Sequence, residues 1–228
     1  MCYVVCWETA LVKTEELIVQ LTRSREPVHT LPPPSVRLAR WSALSVMIGA
    51  VGVLAIGARA DVAEAVRDPA FAGLAMLALA TGITSAASAL VLSIPGAERS
   101  PAQRGIPLAL FAGWGLLLAA MVVSGGQALS RVTALPIHVA CIVEIAAFAL
   151  VTGWALFRMV RRAAPLSRTW IAVLASLAAA ALGAVATQLV CPIDDPAHHL
   201  VGHLTPAALI AVFGAAVRDR LQFPIPRA

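Results

Sequence analysis

Six long apolar runs separated by short polar connections constrain this chain more than any other feature. They lie at about 38–58, 70–94, 106–124, 135–157, 170–190 and 200–217. Runs of about 18 to 25 residues are long enough to cross a hydrocarbon core of roughly 30 Å. Inside lipid every backbone polar group must be satisfied within the segment, so such runs fold as helices. Charge agrees: 13% of the 228 residues are charged, against about a quarter in soluble domains, and the mean hydropathy is +0.85. The expected fold is all-α, a polytopic membrane bundle of six transmembrane helices. Short connections leave no room for a separate soluble domain, and no internal repeat stands out.

Placement of Lys and Arg orients the bundle. If the N-terminus is cytoplasmic, 14 of the 17 basic residues fall on the inner side and three, Arg59, Arg67 and Arg131, on the outer side. The positive-inside rule then puts both termini in the cytoplasm, with Trp41, Trp154 and Trp170 as an inner aromatic belt. Three parts follow: an N-terminal tail (1–37), the membrane domain (38–217) and a C-terminal tail (218–228). In the N-terminal tail, KTEELIVQLTRSREPV reads as a short amphipathic helix with Leu17, Ile18 and Leu21 on one face. The first dozen residues, including Cys2 and Cys6, are out of keeping with it, and translation is expected to begin near residue 12. Pro32, Pro33 and Pro34 are expected to end any preceding helix and act as a stiff spacer.

The polar residues of interest gather near 185–206, VATQLVCPIDDPAHHLVGHLTP. With both termini inside, the start of the fourth run and the end of the fifth face the outer side. Cys141 lies about six residues, or roughly 9 Å, into the fourth run, and Cys191 closes the fifth, so the two thiols reach similar depth. His138 and Glu144 flank Cys141 at helical spacing, and His199 and His203 are likewise four apart. An outer pocket is therefore expected from Cys141 and Cys191, with His138, Glu144, Asp194, Asp195, His198, His199 and His203 as supporting ligands.

Each residue also has an ordinary role. Membrane cysteines commonly serve as small packing residues. Loop Asp and His are commonly solvated, and Asp195 before Pro196 suits a helix start. Glu144 is harder to assign to packing, because an ionisable group inside a span is costly. No CxxC or HExxH is present, so spacing alone is a weak metal signature. Thiols with imidazoles suit zinc, copper or cadmium; the same thiols can instead form a disulfide if their Cα atoms come within roughly 4.4 to 6.8 Å. A small transporter, a membrane thiol oxidoreductase and a bis-His cytochrome remain as other readings. Interior polar residues are too few for the first, a CxxC pair is lacking for the second, and the histidines cluster at one edge for the third.

The chain resembles the NrsF family of integral membrane anti-sigma factors. The resemblance runs from about residue 12 to 221 and rests on KTEELI, VHTLPPPSVRLARW, RDPAF, LSIPG, LPIHVACIVEI, FRMVRRAAPLS and LVCPIDDPAHHLVGHLTPAALIAVFG. It implies a multi-pass protein of the inner membrane, not an enzyme. Such a protein sequesters an extracytoplasmic-function sigma factor and releases it on heavy-metal or oxidative stress. The family's two characteristic cysteines correspond to Cys141 and Cys191. Partners are then the sigma factor and the lipid bilayer, with no direct nucleic-acid contact. On the amphipathic pattern alone, Leu17, Ile18 and Leu21 are expected either to dock the sigma factor in a helix-in-groove contact or to lie on the membrane surface. No obligatory cofactor is expected, only a transient soft metal ion.

Overall fold

A computed structural model of the chain describes residues 13–23, 31–97, 100–125, 139–163, 167–216 and 218. These residues form helices and turns, with no strand among them. Two units are present, Met1–Leu31 and Pro32–Ala228. In the first unit, α1 (Thr14–Arg23) carries Glu15 and Glu16 in its first turn and Arg23 in its last. Both placements complement the helix dipole. Leu17 and Ile18 are exposed on it. Leu21 lies within α1, but its side chain is outside the described residues, as are Cys2, Cys6 and His138.

The second unit holds six helices long and apolar enough to cross a membrane. They are α2 (Pro34–Ile56), α4 (Pro69–Leu92), α5 (Ala102–Ser124), α6 (Val139–Arg161), α7 (Arg168–Gln188) and α8 (Pro196–Ala216). A single-turn helix, α3 (Val62–Ala65), lies in the connection between α2 and α4. The spans match the six apolar runs with shifted ends. α2 starts four residues before the run, at Pro34, which sits at the first helical position. There the missing N–H costs nothing and the fixed φ suits the helix. The proline stretch is thus spacer at 32–33 and helix start at 34. α4 begins on the same principle at Pro69, where the Asp68 carboxylate accepts from the Ala70 N–H at 2.9 Å.

α7 is the central staff: 72% of its most apolar stretch is buried, against 11% for α2. Its run of small residues, LAAAALGA, explains this position. Lipid offers no hydrophobic drive between helices, so close backbone approach of small residues supplies the packing. At Gly183 a Cβ would sit 3.2 Å from the Ile145 carbonyl oxygen, so α6 and α7 come together there, one turn from Cys141. Polar ends pair within each side of the bundle. The Arg104 guanidinium lies 5.3 Å from the Trp170 ring centroid, and Arg37 donates to the Met159 carbonyl. At the opposite end Arg59 meets Asp194.

Candidate functional site

Cys141 stands in the first turn of α6, and Cys191 follows α7 in the connection to α8. The Cys191 N–H donates to the Thr187 carbonyl at 2.8 Å, which folds this connection back on α7. Asp195 then starts α8: its carboxylate accepts from the Ala197 N–H at 2.9 Å, with Pro196 at the first helical position. A cap of this kind stabilises a helix start by about 1 kcal/mol. The helix passes into a π segment, Leu200–Leu204, before resuming as α-helix at Thr205. The Thr205 hydroxyl donates to the Leu200 carbonyl, five residues back, at 2.9 Å.

This π segment decides which histidines meet the thiols. In an α-helix, residues four apart share a face, which favours His199 with His203. A π turn bonds i to i+5 and turns residues five apart toward one another. His198 and His203 accordingly join Cys141 and Cys191, and one donor atom from each of the four lies within 4.8 Å of the others. The Cys141 thiol donates to Cys191 across 3.6 Å between sulfurs. The His198 Nε2 lies 3.7 Å from Cys141 Sγ and 3.4 Å from Cys191 Sγ. All four residues are buried, His203 completely. The hydrogen bond from Cys141 holds the Cys191 thiol below its usual range. At Gly202 a Cβ would come within 3.2 Å of the His198 ring, so the glycine gives that imidazole its place.

The remaining expected residues have other positions. Asp194 pairs with Arg59, and Asp195 is the helix cap. The His199 ring packs on that of His203 with centroids 4.6 Å apart, but its nitrogens are outside the four-atom set. Glu144 lines an apolar groove between α2, α6 and α7, and its Oε2 has no hydrogen-bond partner. Arg59 is the site residue that the sequence reading did not single out. Its side chain is 1% exposed, and its guanidinium is held charged by the Asp61 and Asp194 carboxylates. Both carboxylates are in turn held below their usual range by Arg59.

Three of the four donors, from Cys141, Cys191 and His198, are spaced as ligands of a tetrahedral metal ion would be. Bonds of about 2.3 Å to sulfur and 2.0–2.1 Å to nitrogen place donors about 3.4–3.8 Å apart, and the three distances above, 3.4, 3.6 and 3.7 Å, fall in that range. The fully buried His203 imidazole faces the Cys191 thiol and interacts with it. The two sulfurs are also in direct contact, 3.6 Å apart.

The described residues form a six-helix membrane-type bundle with a buried thiol–imidazole cluster at one end. The family description NrsF, negative regulator of sigma F, matches residues 21–222, and the chain belongs to this family. Membership makes it a negative regulator of a sigma factor. Comparison with curated proteins gives no match, and neither does comparison with solved structures.

Proposed function

We propose that the protein is an anti-sigma factor of the inner membrane, with both termini cytoplasmic, that releases an extracytoplasmic-function sigma factor on metal or oxidative stress. Cys141 and Cys191 are the receiving groups, and His198 and His203 complete the ligand set. The observation carrying this reading is the convergence of the four donor atoms within 4.8 Å in a chain whose family restrains a sigma factor. A divalent zinc or cadmium ion suits the set on charge as well as geometry. Two thiolates and two neutral imidazoles cancel its charge, which matters where burial makes any net charge costly.

In the resting state both thiols are reduced and metal-free, and the cytoplasmic face retains the sigma factor. The contact is made by Leu17, Ile18 and Leu21 of α1, laid into a groove of the partner. Metal binding releases the two thiol protons and draws the four donors together. A peroxide instead takes two electrons and two protons from the pair, giving a disulfide and water. Either event favours a second helix packing that binds the sigma factor poorly, by no more than the stimulus's differential affinity for the two packings.

The test is sigma-dependent transcription in the native host under cadmium or peroxide. Cys141→Ser with Cys191→Ser should abolish induction while leaving basal repression intact. Induction that persists in the double variant at equal protein level rejects the cysteine site.

A further inference from the structure

α2 is fastened at its two ends to the two elements that carry the thiols. Beyond its C-terminus, Gly57 turns the chain at φ +100°, a conformation that glycine adopts without strain. Arg59 follows, and all five of its side-chain N–H donors are engaged. Nε donates to Asp61 at 2.7 Å, and Nη2 to Asp61 at 2.7 Å and Asp194 at 2.6 Å. Nη1 donates to Asp194 at 2.6 Å and to the Cys191 carbonyl at 3.2 Å. The Arg59 backbone N–H adds a bond to the Leu189 carbonyl at 3.0 Å. A planar guanidinium saturated in this way is a stiff link, since no rotation keeps every bond.

At the other end, Trp41 is fully buried and its Nε1 donates to the Thr152 carbonyl at 2.9 Å. Arg37 donates to the Met159 carbonyl. Both acceptors belong to α6, the helix that carries Cys141. Between these ends α2 is the least buried of the six long helices. It is therefore restrained more by its end links than by packing.

We propose that α2 is the lever that carries thiol oxidation to the opposite end of the bundle, with Arg59 as the positioning residue that joins it to the Cys191 connection. The proposal rests on the functional reading above, in that it supplies a route from the thiols to the tail preceding α2. A disulfide brings two sulfurs to about 2.05 Å, which from 3.6 Å is a contraction of about 1.5 Å. Cys141 moves with α6 and Cys191 with the Arg59 link. The contraction shifts one anchor of α2 against the other and strains the bonds of Trp41 and Arg37.

The test uses the full chain with Cys2→Ser and Cys6→Ser, reconstituted in bilayers and treated with diamide. The azo bond of diamide accepts the two electrons and two protons that the thiols lose. Disulfide yield is read by mass, and amide hydrogen exchange is followed over residues 34–41. Exchange there should rise about fivefold on oxidation, the change that loss of one hydrogen bond gives. In Arg59→Gln the disulfide should form to the same extent without that rise. Asp194→Asn, which keeps the Arg59–Asp61 pair, should reduce the rise and guards against misfolding of the first variant. A full response in both variants, no response in the oxidised parent, or failure of the parent disulfide to form overturns the lever. Stress induction that does not need the cysteines would instead overturn the functional reading and leave this exchange result standing.

Discussion

Gly202→Ala separates the proposed metal site from the stability of the fold. A methyl at Gly202 would lie 3.2 Å from His198 Cε1 and 3.4 Å from Nε2. Carbon contacts are comfortable at about 3.5–4.0 Å, so the imidazole must retreat by a few tenths of an ångström. A metal–ligand distance tolerates about 0.2 Å, and displacing a ligand's support typically costs 10–100-fold in affinity. That corresponds to about 1.4–2.7 kcal/mol. The same substitution favours the helix, because alanine is better than glycine in a helix interior by about 1 kcal/mol. Cobalt titration of the purified full chain, followed by its tetrahedral thiolate spectrum, should therefore weaken 10–100-fold while the melting midpoint holds. Affinity within about twofold of the parent would show that His198 is not a ligand from this position and refute the reasoning.

Three further outcomes follow from the same contacts. Glu144→Gln should leave cobalt affinity within about threefold, because no Glu144 oxygen belongs to the four-donor set; a loss comparable to a cysteine variant would put it in the site. Asp194 and Asp61 are held below the usual carboxylate range by Arg59, so their pairing stabilises fully above the unfolded value of about 3.9 and is lost as pH falls through the lower folded values. The melting difference between the parent and Asp194→Asn should accordingly stay constant from about pH 7 to 5 and shrink only below about pH 4. Trp41→Phe removes the donor to Thr152 and should cost about 1 kcal/mol, read as a lower melting midpoint with unchanged cobalt binding.

The six spans were legible because twenty apolar residues in a row have few other uses, and only their ends moved. Pro34 shows why ends are hard to place: a proline that reads as a spacer also suits the first position of a helix. The meeting of Cys141 with Cys191 was foreseeable from the alternation of spans. That His198 rather than His199 lies with His203 beside the thiols was not. It depends on a π segment, whereas the four-residue spacing of an α-helix pairs His199 with His203. Arg59 was read only as one of three arginines on its side. An arginine two residues from an aspartate, where basic residues are scarce, was the available signal, but its partner Asp194 is 135 positions away and only the fold brings them together. Gly202 and Gly183 were silent for the same reason, since the atoms a side chain would strike belong to other turns and helices.

The central claim is that this chain holds a sigma factor and lets it go through Cys141 and Cys191. The direct measurement is to isolate the membrane-embedded protein from its native host before and after cadmium challenge and identify its partners by mass spectrometry. A sigma factor is expected bound before and lost after, and retained throughout in the Cys141→Ser, Cys191→Ser variant. Absence of a sigma factor under both conditions, or equal loss from the variant, would contradict it.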